Sequence, residues 1–439
     1  MTCLSMTGGS RQRRSVTHWQ QSPRRPRGTA ILAEDKSRNG KDVVAKRSPK
    51  RRRPREAVGS DAALPALSTL TELPAFDELS PSEAQRTAYV GACERAVEAG
   101  AEKDELVMGC VARLDRGYPA VLAADATFRA EFSTRLTKDG LRGRADARVA
   151  VGDWVCARRP HGHDMGLIEE ILPRESDIAR WRGGARGERQ TLAANVDLVL
   201  VVQQLGERAV SCDRIARSAV IARDCGSDVA VVLTKADRAS DEALEKDVAA
   251  VRDILGEGCG IALTSSAADE VEERRVSACA ERLGVPWGTD AVRDLVPRGT
   301  VAIVLGESGA GKSTLLNALL GRDVLETGAV RESDDAGRHT TVARRMVSLP
   351  GAGVIVDEPG LRSLPIVGHE RGLAKVFPEI AEAAQECRFR DCTHTHEPGC
   401  GVRAGQEAGH FSLRRLECYV ALATEMRQSA LSLDPDVVI

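Results

Sequence analysis

Gly306-Glu307-Ser308-Gly309-Ala310-Gly311-Lys312-Ser313-Thr314 is the stretch that decides the fold. It fits G-x-x-x-x-G-K-[ST], and it follows an apolar run, TVAIVLG (300–306), and opens a helix-forming run, 312–320. Gly306, Gly309 and Gly311 let the backbone curl so that its N–H groups point inward. Together with the helix N-terminus these donors form a cradle for phosphate oxygens. Lys312 is placed to neutralise β- and γ-phosphate oxygens, and the Ser313 hydroxyl to ligate Mg²⁺.

Outward from this loop, strands and helices alternate. The strand candidates are 196–203 (VDLVLVVQ), 228–234 (DVAVVLT), 259–265 (CGIALTS), 300–306 and 353–359 (GVIVDEP). Near-continuous Val/Ile/Leu runs are expected of strands covered on both faces by helices. The intervening helical stretches include 214–225, 241–255 and 312–320. The prediction is an α/β, doubly wound sheet carrying a P-loop.

A phosphate loop alone does not select a base. Thr234-Lys235-Ala236-Asp237 ends a predicted strand, where nucleotide-fold ligands are expected. The Asp237 carboxylate can accept from both the ring N–H and the exocyclic amine of guanine, a donor pair that adenine lacks. Lys235 can lay its stem along the base. Thr234 stands where most GTPases have Asn. After the next strand, Thr264-Ser265-Ser266-Ala267 reads either as a loop backing the guanine carbonyl, with Ser265 and Ser266 at the site, or as a helix N-cap.

Beyond the P-loop helix, Gly337-Arg338-His339-Thr340-Thr341 reads as a first switch, with a threonine completing the Mg²⁺ shell. Asp357-Glu358-Pro359-Gly360 reads as a second, Asp357 holding Mg²⁺ through water and the Gly360 N–H sensing the γ-phosphate. The next residue, Leu361, cannot orient a water. Slow intrinsic hydrolysis follows, with help from His339 or from a partner. The base-reading motifs precede the phosphate loop, which precedes the switches. That order is a circular permutation of the ordinary one, and it leads the switch region directly into the C-terminal segment.

There Cys387, Cys392, His394 and Cys400 are spaced C-x4-C-x-H-x5-C. Three thiolates and an imidazole suit a closed, structural Zn²⁺ site, and His396 competes with His394 as the fourth ligand. Cys3, Cys93, Cys110, Cys156, Cys212, Cys225, Cys259, Cys279 and Cys418 are scattered singly, the usage of a reduced, cytosolic protein rather than of a disulfide framework.

The flanks differ from this centre. Residues 1–60 carry 16 Lys and Arg against 4 Asp and Glu, although the whole chain has a net charge of −2. A basic arm on an acidic body points to a polyanion, with nucleic acid the leading candidate, or to a merely solvated tail. Its first thirty residues, rich in Arg and Ser and poor in acids, also resemble an organelle transit peptide. Ala-rich helical periodicity spans 80–105. From 108 to about 182, short apolar runs between Gly, Asp and Pro predict a small β-barrel. The segment 174–189, with Arg174, Arg180, Arg182, Arg186 and Arg189 around Trp181, reads as a nucleic-acid contact or as a basic linker. An amphipathic helix is predicted near 412–431. No apolar run approaches the ~20 residues a membrane span needs.

The whole set in this order resembles the RsgA (YjeQ) family of GTPases dependent on the small ribosomal subunit. The match covers about 108–430: VGDWV (151–155), LPRES (172–176), AANVD (193–197), TKAD, GESGAGKST, GRHTT, DEPG, FPEI (377–380), the Cys/His segment and RRLECY (414–419). The resemblance implies an N-terminal OB-fold barrel, a permuted GTPase domain and a C-terminal zinc domain. In this chain these would be an RNA-binding OB barrel over 108–190, the GTPase over 191–376 and the zinc-binding domain over 377–439; ahead of them, composition gives a basic disordered extension over 1–75, which has no counterpart in the family, and a helical lead-in over 76–107. The resemblance implies GTP as substrate, Mg²⁺, one Zn²⁺ per chain on Cys387, Cys392, His394 and Cys400, and the small subunit with its rRNA as partner to a monomer. The implied work is late maturation of that subunit. The alternative is a nucleotide-gated RNA-binding module with negligible turnover. Thr is usual in the family at Glu358 and Ser at Cys418, and the Gly-rich tail after Ala268 is missing.

Overall fold

The computed structural model describes residues 67, 70, 72–115, 118–141, 148–182, 188–206, 208–322, 344–357, 366 and 368–433. Of the two units into which the chain divides, 1–62 and 63–439, all described residues belong to the second. The first switch (His339, Thr340, Thr341), Glu358, Gly360 and Leu361 lie outside the described residues, as does nearly all of the N-terminal extension.

Ser82 starts the first helix, α1 (Glu83–Glu98). Its Oγ accepts from the Gln85 N–H while the Gln85 side chain accepts from the Ser82 N–H, a reciprocal cap. Next come β1 (Leu106–Asp115), β2 (Tyr118–Ala123), β3 (Thr127–Phe132), α2 (Thr134–Leu141), β4 (Trp154–Arg158) and β5 (Gly166–Ile171). Antiparallel pairs β1–β2, β2–β3, β4–β5 and β1–β4, with the parallel pair β3–β5, close these five strands into a barrel. Val111, Val121, Phe128, Val155 and Ile168 fill it. This is the expected OB architecture, with strands at Leu106 to Ile171. The hairpin β6 (Asp177–Arg182) and β7 (Glu188–Ala194) forms a separate two-stranded sheet.

The α/β part follows as β8 (Leu198–Gln204), α3 (Cys212–Asp224), β9 (Asp228–Thr234), α4 (Asp241–Leu255), β10 (Gly260–Leu263), α5 (Glu270–Leu283), α6 (Thr289–Asp294), β11 (Val301–Gly306), α7 (Lys312–Leu320), β12 (Arg344–Ser348) and β13 (Val354–Asp357). The sheet runs β10-β9-β8-β11-β13-β12, parallel except for β12. Alternation along β8 covers both faces. Val199 and Val201 pack with Ile215 of α3 and Leu244 of α4, while Leu200 and Val202 pack with Val292 of α6 and Leu319 of α7. The phosphate-loop strand β11 is central, between β8 and β13, so permuting the chain has left the sheet whole.

The C-terminal part is α8 (Glu370–Val376), α9 (Pro378–Gln385), α10 (Gly401–Glu407) and α11 (Leu413–Leu433). It is fastened to the α/β part. The buried His369 Nδ1 lies 2.9 Å from Asp224 Oδ2, and Arg415 donates to Ile254 O at 2.7 Å and to Asp253 O at 2.9 Å. Gly372 is required at the α8–α3 crossing, because a Cβ there would stand 2.0 Å from Val220 O.

Two joins were not foreseen. β12 pairs with β1, Arg113 opposite Arg345, and so ties barrel to sheet. The residues before α1 form a strap across this join: the Ser348 N–H donates to Glu72 O at 3.0 Å, and Phe76 meets the Trp154 ring edge-on at 5.7 Å. Residues 72–74 are therefore packed, inside the range over which disorder was expected.

Candidate functional site

Each strand of the parallel sheet ends its C-terminal edge in one piece of the site. β11 runs into the loop 306–314, where Gly309 and Gly311 take φ values of +81° and +87°, the left-handed region that favours glycine. Lys312, the first residue of α7, donates from Nζ to the loop carbonyls Gly306 O at 2.6 Å and Glu307 O at 2.7 Å. The ammonium therefore sits over the cradle it was expected to serve. Ser313 and Thr314 occupy the first turn of α7. Glu307 at the loop's mouth pairs with Arg214 of α3.

The base-reading segment comes from the end of β9 and touches the phosphate loop directly. The buried Thr234 donates from Oγ1 to Ala310 O at 2.7 Å, and Lys235 donates from Nζ to Gly309 O at 2.7 Å and to Gln204 Oε1 at 2.6 Å. A threonine in place of asparagine thus still bridges to the loop through its hydroxyl. Burial lowers the Lys235 ammonium from its usual range, and the nearby Arg238 adds to the shift. Ala236 and Asp237 lie in a single 3₁₀ turn, with the Ala236 N–H on Thr264 O at 3.2 Å.

Ser265 donates from Oγ to Asp237 Oδ1 and accepts the Ala267 N–H at 3.1 Å. The segment 264–267 is therefore a loop that buttresses Asp237, and the N-cap of α5 is Asp269 instead. Ser266 is exposed on that loop. Sequence reasoning missed Gln204, and Arg275, which donates to Asp237 O at 3.2 Å. Neither carries a motif; a polar residue at a strand's C-terminal end is the one signal for Gln204.

Asp357 ends β13, beside β11, on the same edge of the sheet. Its Oδ2 lies 3.8 Å from Arg345 Nε of β12. An ionised carboxylate and the Ser313 hydroxyl are hard oxygen donors of the kind Mg²⁺ takes beside substrate phosphates.

The Cys/His segment converges. The ligand atoms of Cys387, Cys392, His394 and Cys400 all lie within 4.8 Å of one another. His394 Nδ1 stands 3.5 Å from both Cys387 Sγ and Cys400 Sγ, which are 3.9 Å apart. Zn–S bonds of 2.3 Å in a tetrahedron give S···S edges of about 3.8 Å and S···N edges of about 3.5 Å. The four groups fit zinc. His394 enters the set through a left-handed backbone, φ +62°, while His396 turns to Thr395 Oγ1 at 2.9 Å.

Of the basic segment 174–189, the side chains of Arg180, Trp181, Arg182, Arg186 and Arg189 lie outside the described residues, and that of Arg174 is described. Arg174 donates to the Asp153 carboxylate at 2.7 and 2.8 Å and to Arg148 O at 2.8 Å. It is a structural ion pair, which removes it from the proposed nucleic-acid contact. The reason is Asp153, wholly buried beside the barrel: burial pushes its carboxyl up, and Arg174 opposes this.

A family model, RsgA GTPase, matches residues 171–367. The small ribosomal subunit biogenesis GTPase RsgA of Streptomyces coelicolor is 39% identical over 331 residues, covering 75% of this chain and 83% of that protein. The chain belongs to the RsgA family. The RsgA protein of Leptospira interrogans serovar Lai is 37% identical over 290 residues, 66% of this chain and 75% of its own length. Among solved structures, YjeQ from Thermotoga maritima aligns with a TM-score of 0.53 at 23% identity, over 73% of this chain and 99% of that one. YloQ, a circularly permuted GTPase, aligns at 0.50 and 22% identity, over 74% and 96%. At these identities the structural likeness speaks for the fold alone, that of a circularly permuted GTPase. Among the described residues no helix is long and apolar enough to cross a membrane.

Proposed function

We propose that this RsgA-family chain hydrolyses GTP to GDP and phosphate in the late maturation of the small ribosomal subunit. The observation that carries the reading is the direct contact of two motifs far apart in sequence. Thr234 and Lys235 of the base-reading segment donate to Ala310 and Gly309 of the phosphate loop. One nucleotide spanning both would have its base on Asp237 and its phosphates on 306–314.

In this account Asp237, oriented by Ser265, selects guanine, and Lys235 lies along the base. The N–H groups of Glu307, Ser308, Gly309, Ala310 and Gly311 hold the phosphates with Lys312, Ser313 and Thr314. Ser313 and Asp357 would hold Mg²⁺, which supplies charge neutralisation at the phosphates. Cys387, Cys392, His394 and Cys400 would hold one zinc that ties the chain between α9 and α10. His339, Thr340, Thr341, Gly360 and Leu361 belong to the switches. Leu361 cannot orient the attacking water, so hydrolysis is completed by His339 or on docking to the subunit. The extension, lead-in, barrel, GTPase and zinc domains divide the labour, with barrel and zinc module gripping rRNA. The protein acts as a cytoplasmic monomer.

The test is GTP turnover by the purified chain with and without small subunits. Subunit-stimulated hydrolysis supports the reading; tight GTP binding with no turnover in either case would leave a nucleotide-gated RNA-binding module.

A further inference from the structure

A row of alternating charges leads from the barrel to Asp357. Arg129 Nη1 pairs with Asp115 at 2.7 Å, and Arg113 Nε pairs with the same carboxylate at 2.8 Å. Arg113 Nη1 reaches Glu72 Oε1 at 3.3 Å, and Arg345 Nη1 reaches that same oxygen at 2.6 Å. Arg345 then faces Asp357 Oδ2 from Nε at 3.8 Å. Every member is at most one-fifth exposed.

The two ends of Arg345 are unequal. Its Nη1 makes a short bond to Glu72. Its Nε is buried and has no hydrogen-bond acceptor among the described residues. The 3.8 Å separation from Asp357 is too long for a hydrogen bond, though short enough for an ion pair. A buried donor without an acceptor is costly, so a move of about 1 Å toward Asp357 is favoured unless something holds the guanidinium back. Glu72 does so, and Glu72 is itself fixed through its backbone to Ser348 of the same strand.

We infer that Arg345 is a positioning residue that competes with a divalent cation for Asp357, and that Glu72 restrains it. The strap ahead of α1 would then set how firmly the nucleotide site keeps its cation. With the Glu72 charge present, Arg345 is neutralised and held off. Without it, the guanidinium carries an uncompensated charge, closes on Asp357 and repels a cation there. The inference rests on the assignment of Asp357 to the Mg²⁺ site.

The experiment follows release of a fluorescent GDP analogue from the full chain at graded free Mg²⁺, with thermal melts of each variant. Glu72→Gln is expected to raise the Mg²⁺ needed for half-maximal retention by about fivefold, the lower end of ordinary site coupling. Arg345→Gln is expected to lower it, and the double variant to follow Arg345→Gln. Arg113→Gln removes a cation of the same row that shares Glu72 Oε1 but does not face Asp357, and should not weaken Mg²⁺ retention. If Glu72→Gln, Arg345→Gln and Arg113→Gln all weaken retention, with the double variant additive, the row is scaffold and the inference is overturned. No change in Glu72→Gln overturns it equally. Release from the wild-type chain that ignores Mg²⁺ would instead overturn the assignment of the cation site itself.

Discussion

Replacing Asp237 by asparagine is the most informative single change to the nucleotide site. The carboxylate is about one-tenth exposed and is held by Ser265 Oγ on Oδ1. Asparagine is isosteric and can still accept from Ser265, so the fold and melting temperature should be unchanged. The base contact is altered. An ionised carboxylate offers two acceptors to guanine's two donors, whereas an amide offers one acceptor and sets an N–H against the other donor. A hydrogen bond to a charged group contributes about 1.5–3 kcal/mol, and an opposed donor adds a desolvation cost of similar order. The net loss should be about 2–4 kcal/mol, roughly 30- to 1,000-fold in GTP affinity. Xanthine carries a carbonyl where guanine carries the amine, so XTP should gain what GTP loses. Titration with fluorescent guanine and xanthine nucleotides measures both. GTP affinity within threefold of wild type, or no gain for XTP, would refute base reading by Asp237.

Three further outcomes are expected. Metal analysis of the purified chain should find about one zinc per chain, falling below half an equivalent in Cys400→Ser; less than half in the wild type would count against the site. Arg174→Ala should destabilise the chain by about 3–5 kcal/mol, because it leaves the buried Asp153 charge without its cation; an RNA-affinity loss with unchanged urea midpoint would restore the nucleic-acid role instead. Burial would push Asp115 up, but hydrogen bonds from Arg113 and Arg129 outweigh it and hold the carboxyl below its usual 3.8. A lowered folded-state value means that its stabilisation is full above about pH 4 and is lost as pH falls below it. Urea midpoints followed by tryptophan fluorescence between pH 7 and pH 3 should drop in acid, and Asp115→Asn should flatten that limb; an identical acid limb in the variant would remove Asp115 from the network.

The sequence was most legible where one physical demand dominated. β9, α4 and α7 have the bounds expected of them, and β8, β10, β11 and β13 agree within a few residues, because strands buried on both faces read as unbroken apolar runs. β12 was not visible: it opens with Arg344 and Arg345, and the Arg345 charge is tolerated by pairing with Glu72 and Asp357, partners remote in sequence. β3, with Thr127, Arg129 and Glu131 alternating against Phe128 and Ala130, escaped for a similar reason, since Arg129 is buried by pairing with Asp115.

The site was legible as motifs and opaque as a network. Spacing gave four zinc ligands and left His394 and His396 in competition until the left-handed turn at His394 separated them. It named Asp237 and Ser265, but not that one holds the other. The segment 174–189 read as one basic unit, although Arg174 turns inward to the buried Asp153 carboxylate.

The measurement closest to the central claim is GTP turnover by the purified chain, alone and with purified small ribosomal subunits, with ATP as control. The account predicts slow hydrolysis of GTP alone, strong stimulation by the subunits and no comparable ATP turnover. Tight GTP binding with no stimulation would contradict the ribosomal role, and equal use of ATP would contradict the base reading on which the site is built.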